Sequence, residues 1–193
     1  MDLQKQKKNF KNHMAKFTDY GNIKILDFKD PESSHYRIRF LFEEDYCRLH
    51  ISGDLGELIA TNYNNMTFEG FEDFVNNAGY FEGKIDCMSR PIYIYDEDQA
   101  RQDILQRIEE EDLTDAFMED RFDFETIDDV IDDIMENFDT DRGIGESGYD
   151  ILSKHFCDVW EFIGDIGKRN TGILDLYMLA FKLATDQLNL NNK

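Results

Sequence analysis

The fold is decided by the alternating stretch Tyr36-Arg-Ile-Arg-Phe-Leu-Phe42, in which an aromatic or branched apolar residue occupies every even position. A period of two is typical of a half-buried strand. Residues 23–28, 46–51 and 57–63 have a similar strand preference, and turn-forming residues such as Gly53-Asp-Leu-Gly56 separate the runs. The sequence therefore predicts an α+β fold with an N-terminal antiparallel sheet of three to four strands.

Both sides of this sheet are predicted to be helical. Before it, residues 1–17 have an apolar stripe at helical spacing and a basic polar side, which indicates a basic N-terminal helix. The lysines of that helix are Lys5, Lys7, Lys8, Lys11 and Lys16. After the sheet, Phe68, Phe71, Phe74 and Val75 recur at steps of three, three and one residues from a Thr67 cap, which predicts a covering helix.

The second half of the chain is predicted to be helical and acidic. Helical patterns cover residues 97–110, 113–118, 126–137, 149–163 and 173–188. The last of these is apolar on most sides, so it is either a central core helix or the contact of a homodimer. We expect an α+β domain over residues 1–95 and an acidic helical region, packed on it, over residues 96–193.

Acidic residues are concentrated in one part of this half. Of the 42 acidic side chains, 20 fall between Asp96 and Arg142 beside only four basic ones, so this segment carries a net charge of −16 out of −21. Concentrating one sign of charge costs stability through self-repulsion, and its common use is to attract a basic partner. The alternative is that the acidic faces serve solubility only.

The segment 126–138 breaks local rules in one consistent direction. Asp128, Asp132 and Glu136 follow one another at four-residue spacing, where like charges cost roughly 0.2–0.5 kcal/mol per pair. No lysine occurs between Lys84 and Lys154 to offset them. Such a pattern predicts a functional surface, which we assign to these residues: Asp98, Asp103, Glu109, Glu110, Glu111, Asp112, Asp115, Glu119, Asp120, Asp128, Asp129, Asp132, Asp133, Glu136, Asp139 and Asp141.

The amount of charge suits imitation of nucleic acid. Duplex DNA carries one charge per ~1.7 Å of axis, so 16 charges correspond to roughly 27 Å of duplex, about 8 base pairs. The net charge of −21 also argues against direct binding of the chain to DNA, RNA or an anionic membrane. The expected partner is a basic nucleic-acid-binding protein.

Other signals in the sequence are mostly negative. Cys47, Cys87 and Cys157 form no CxxC pair, and the four histidines belong to no metal-binding pattern. The stretch from Asp139 to Asp150 departs from the EF-hand pattern at its sixth and twelfth positions. With no nucleophile or phosphate-loop motif, we expect no catalytic residue, no metal, no cofactor and no enzymatic activity. The polar first residues and the reduced cysteines favour a cytoplasmic protein.

Part of the chain resembles a group of small proteins of phages and prophages. The similar residues are Tyr36–Phe42, the Gly-Asp-Leu-Gly-Glu turn at 53–57, Phe68-Glu-Gly-Phe71 and Tyr80-Phe-Glu-Gly-Lys84. The resemblance covers residues 36–95, and beyond Pro91 this chain is far more acidic than the pattern. It implies a phage accessory protein in the cytoplasm of a bacterial host, and by analogy an anti-CRISPR inhibitor that imitates nucleic acid. The implied partner is a CRISPR effector nuclease or its guide-RNA complex. The alternatives are an anti-restriction DNA mimic and an acidic phage regulatory protein that binds a basic host protein.

Overall fold

The computed structural model describes residues 3–119 and 126–191, with the side chains of residues 119 and 191 left out. The chain divides into two compact units. The first, which we call the sheet unit, comprises residues 1–92 and 172–193, and the second, the acidic unit, comprises residues 93–171. The expected boundary after residue 95 therefore lies after residue 92, and the C-terminal helix belongs with the sheet and not with the acidic region.

The α+β class is confirmed, with six strands in the main sheet where three to four were expected. All six strands pair antiparallel in chain order. They are β1 (Met14–Asp19), β2 (Ile23–Lys29), β3 (Ile38–Glu43), β4 (Arg48–Gly53), β5 (Leu58–Thr61) and β6 (Ile85–Met88). β3 begins two residues later than the alternation indicates, because Tyr36 has a left-handed φ of 59° and lies in the preceding turn.

The basic helix expected over residues 1–17 is wrong for its second half. Only α1 (Leu3–Gln6) and a 3-10 turn (Lys7–Phe10) are helical, and β1 follows. Phe10 is buried against Phe28, whereas Met14 is 61% exposed. β1 is an edge strand whose inward residues are only half-buried, so its alternation is weak in the sequence.

Helices cover one face of the sheet. The expected covering helix is two short helices, α2 (Glu72–Val75) and α3 (Ala78–Glu82), and the Asn77 side chain caps the second by accepting a hydrogen bond from the Tyr80 N–H. The C-terminal helix, here α9 because five helices of the acidic unit precede it, spans Ile173–Asn191. It buries Tyr177 and Phe181 in the sheet core, so the interpretation as a core helix accounts for its apolar sides without a dimer contact.

The acidic unit begins and ends on a small antiparallel pair, β7 (Tyr93–Tyr95) with β8 (Lys168–Asn170). Between these strands lie α4 (Glu97–Glu110), α5 (Thr114–Glu119), α6 (Ile127–Ile134), α7 (Glu146–Leu152) and α8 (Val159–Phe162). The prediction for α4 is confirmed in full. The single helix expected over residues 149–163 is wrong, because α7 ends at Leu152 and α8 starts seven residues later.

The acidic unit has a core of its own. Inward residues of α4, α6 and α7 meet there, among them Ile104, Ile108, Val130, Ile134 and Leu152, all at most 1% exposed. This apolar packing supports helices that have unfavourable charge spacing on their outer sides. In the described parts of the chain, no helix is long and apolar enough to cross a membrane.

Candidate functional site

The charge of the chain belongs almost entirely to the acidic unit. Residues 93–171 hold 25 acidic and seven basic side chains, a net charge of −18. The sheet unit holds 17 acidic and 14 basic side chains, a net charge of −3. One compact unit of 79 residues therefore produces a strong negative field, and the other is close to neutral.

Helix α6 illustrates how the acidic side chains are divided between structural and free positions. Thr126 and Asp129 form a capping box: the Asp129 N–H donates to Thr126 Oγ1 at 3.3 Å, and the Thr126 N–H donates to Asp129 Oδ2 at 2.8 Å. Asp129 therefore starts the helix. Asp128, one residue earlier, is exposed and makes no hydrogen bond or ion pair among the described residues.

Helix α6 is also shorter than the sequence indicates, which corrects one detail of the predicted surface. The helix ends at Ile134, so Glu136 lies beyond it and does not extend a helical row with Asp128 and Asp132. Asp132 is bound to the Arg101 guanidinium of α4, which also lies 3.4 Å from Glu97. The hydrogen bond from Arg101 to Asp132 raises the pKa of Arg101 above its ordinary value.

Several other predicted surface residues hold the acidic unit together. Asp103 accepts hydrogen bonds from the Gln99 side chain and from the Gly167 N–H, both at 2.8 Å, which ties α4 to the segment before β8. Asp139 accepts from the N–H groups of Asp141 and Arg142 and so forms the turn after α6. On α4, Glu110 accepts from Gln106 and Glu111 lies 3.8 Å from Arg107.

A second set of predicted residues is free to meet a partner. Their carboxylates are exposed, and within residues 3–119 and 126–191 they have no hydrogen-bond or ion-pair partner: Asp98, Glu109, Asp112, Asp115, Asp128, Glu136 and Asp141. Asp133 is half-buried and has a contact of its own. The side chain of Glu119 and the whole of Asp120 lie outside the described residues. Of the predicted surface, these seven carboxylates are therefore the ones that are exposed and unpaired among the described residues.

The acidic unit also exposes aromatic surface that the sequence reasoning did not single out. Trp160, the one tryptophan of the chain, lies on α8 and is 68% exposed. Exposed carboxylates flank it at Asp158 and Glu161. Tryptophan is enriched among residues that dominate protein interfaces. The signal in the sequence was weak, because a single tryptophan in a helical segment is more often a core residue.

An open depression of about 340 Å³ lies beside α4 in the same unit. The Arg107 guanidinium carbon stacks over the Phe162 ring at 3.9 Å, and Asp103, Glu110, Glu161 and Asp165 supply carboxylates around it. Arg107 is therefore held by the Phe162 ring and by the Glu111 carboxylate. Among the described residues, no three His, Cys, Asp or Glu side chains are arranged to hold a metal ion.

Comparison of the chain with protein-family models, with curated proteins and with solved structures finds no match. The interpretation of this surface therefore depends on its own geometry and charge.

Proposed function

We propose that this chain binds and inhibits a nucleic-acid-handling defence complex, by presenting the carboxylates of its acidic unit to a groove that normally holds DNA. The observation that carries the proposal is the net charge of −18 on one compact unit, with seven exposed carboxylates unpaired within the described residues. A groove lined by Lys and Arg attracts an anionic surface electrostatically, whether that surface is DNA or protein.

A CRISPR effector nuclease is the first partner we propose. Such nucleases hold a heteroduplex in a positively charged channel and read a short motif with arginine side chains. Fixed carboxylates can accept the same charge-assisted hydrogen bonds from those arginines as phosphate oxygens do. A restriction complex, which also holds duplex DNA, is the second partner on the same physical grounds.

Some carboxylates of the acidic unit stabilise its fold, and we expect others to contact the partner. Asp103, Asp129 and Asp139 organise the unit through backbone contacts and are already bonded. Residues such as Asp98, Asp128 and Glu136 are unpaired in the described chain and lose fewer internal contacts on binding. Trp160 supplies apolar contact area beside the charges. Charge then steers the encounter, and the aromatic contact slows dissociation.

An order-of-addition experiment tests the inhibitory function. A guide-RNA-loaded CRISPR effector nuclease and, separately, a restriction complex are mixed with this chain either before or after their target DNA, and cleavage is measured. We expect inhibition near one chain per complex when the chain is added first, and protection when the DNA is bound first. Raising the salt concentration should slow association, because exposed charges are screened within about 8–10 Å. Undiminished cleavage by both enzymes under low salt contradicts the proposal.

A further inference from the structure

The sheet unit contains a cavity of about 430 Å³ between β1, the segment 68–76 and the last turns of α9. Its apolar part is built from three phenylalanine rings: the Phe17 and Phe68 ring centroids are 4.3 Å apart, and those of Phe68 and Phe181 are 5.7 Å apart. Val75 and Leu188 complete this part of the lining. The volume lies in the range of about 300–1,000 Å³ that is usual for small-ligand sites.

The polar part of the lining carries more negative than positive charge, beside the neutral side chains of Asn76, Thr185 and Asn189. Carboxylates are contributed by Glu69, Glu72 and Asp186, against the single ammonium of Lys182. Glu72 and Asp186 are exposed and have no hydrogen-bond or ion-pair partner in the described chain. Two negative charges beside an aromatic surface are therefore available to a ligand.

One wall of the cavity is held in place by a charged cluster. Lys24 Nζ lies 2.8 Å from Glu69 and 3.2 Å from Glu44, and the Lys24 side chain is only 13% exposed. Glu44 also accepts a hydrogen bond of 3.0 Å from the Phe68 N–H. The hydrogen bond between Lys24 and Glu69 raises the pKa of Lys24 and lowers that of Glu69, so both stay charged over the neutral range. Phe68 is thus positioned before any ligand arrives.

We propose that this cavity binds a small organic cation with an apolar body, such as an alkylammonium compound. The phenylalanine rings present apolar surface and an electron-rich face to which a cation is attracted. The carboxylates of Glu72 and Asp186 attract the positive head group, and an anion of the same shape is repelled by them. This site lies wholly in the sheet unit and is independent of the function proposed for the acidic unit.

The proposal is tested by titrating the full chain with n-octyltrimethylammonium while NMR spectra of its methyl groups are recorded. The methyl groups of Val75 and Leu188 report on the cavity, and those of Val130 and Ile131 report on the acidic unit, whose carboxylates also attract cations. We expect saturable shifts of Val75 and Leu188 at one equivalent. Octyl sulfate, with the same alkyl chain and opposite charge, and tetramethylammonium, with no apolar body, should leave these signals in place.

Two matched double variants test the part played by charge. Glu72→Gln with Asp186→Asn should weaken binding of octyltrimethylammonium about five- to tenfold, as expected for two exposed charge interactions. Asp45→Asn with Glu57→Gln removes the same charge from exposed positions outside the cavity and should leave the affinity unchanged. Equal affinity of both double variants, equal shifts with octyl sulfate, or shifts confined to the acidic unit would overturn the proposal.

Discussion

Acidic residues of this chain have different roles that depend on their neighbours, even where the side chains are identical. Asp128 and Asp129 are adjacent on α6, yet Asp129 caps the helix through Thr126 and Asp128 is exposed and unpaired among the described residues. A cap is worth about 1 kcal/mol, whereas an exposed carboxylate beside other carboxylates costs stability. Function and stability can therefore be separated by substitution at single positions.

The first prediction concerns the cap of α6. Thr126→Ala removes the acceptor of the Asp129 N–H and should lower the free energy of unfolding by about 1 kcal/mol. Asp128→Asn, as a control, removes both a like charge and a carboxylate that the helix N-terminus favours, so these effects offset and stability should change by less than about 0.5 kcal/mol. Urea denaturation followed by circular dichroism measures both variants. Equal losses in the two would show that the capping box contributes nothing.

The second prediction concerns Tyr177 and alkaline pH. Burial raises the pKa of Tyr177 to about 12, from 10.0 for the ordinary side chain, and its hydroxyl donates to the Leu55 carbonyl at 3.1 Å. Because the folded pKa is raised, the unfolded chain loses this proton first. The stabilising contribution is complete below pH 10 and is lost as the pH rises from about 10 to about 12.

Tyr177→Phe tests this dependence directly. The variant should be less stable than the parent at pH 8 by about 1 kcal/mol, the usual worth of one hydrogen bond. Its free energy of unfolding should then fall less steeply between pH 10 and 12, since one titrating group is missing. Parallel curves for the two proteins over that range would contradict the assignment.

At the scale of elements, close approach of backbones positions α7 against α6. A Cβ placed on Gly148 of α7 would lie 2.2 Å from the carbonyl oxygen of Ile134, the last residue of α6. Only glycine permits this contact without displacement. Gly79 of α3 has open space around its Cα and provides a matched helical control.

The third prediction follows from this pair of glycines. Gly148→Ala should lower the free energy of unfolding by about 1–3 kcal/mol through overpacking. Gly79→Ala should raise it by about 0.4–1 kcal/mol, since alanine restricts the unfolded chain and meets no neighbour. Thermal melts of both variants check the signs. A stable Gly148→Ala protein would show that α6 and α7 are not in close contact.

Elements with strong internal signals were predicted well from the sequence. Helix α4 has a cap at Asp96, an inward stripe and no competing pattern, and its predicted bounds agree with the structure. Strand β1 has an inward face of only Ala15 and Phe17, both half-buried, so its alternation is too weak to outweigh the helical spacing of the apolar residues in this part of the chain. Helix α9 follows the acidic region in the sequence, and no local pattern indicates that it packs on the sheet instead.

The candidate site was predicted in composition but not in detail. A run of carboxylates indicates a charged surface, whereas the division into bonded and free members depends on partners distant in the chain. Arg101, for example, binds Asp132 from 31 residues away, and Gly167 donates to Asp103 across 64 residues. The aromatic cavity of the sheet unit was missed, since Phe17, Phe68 and Phe181 share no local pattern.

At the scale of the whole molecule, the two units of the chain differ in charge. The acidic unit has a net charge of −18 and the sheet unit −3. Both units have exposed carboxylates, so the same number of charges can be removed from each. If bulk charge alone governs partner binding, the unit from which charges are removed does not matter. If the acidic unit is the binding surface, only its own charges matter.

The decisive measurement is the binding of fluorescent target DNA to a guide-RNA-loaded CRISPR effector nuclease that has first been mixed with this chain, followed by anisotropy. It compares the parent chain with two triple variants that each remove three exposed charges: Asp98→Asn, Asp128→Asn and Glu136→Gln in the acidic unit, and Glu32→Gln, Asp45→Asn and Glu57→Gln in the sheet unit. We expect the acidic-unit triple to block DNA binding about tenfold less well or worse, at about 0.5 kcal/mol or more per charge, and the sheet-unit triple to match the parent. Equal loss in both triples, or undiminished DNA binding in the presence of the parent chain, would contradict the proposed function.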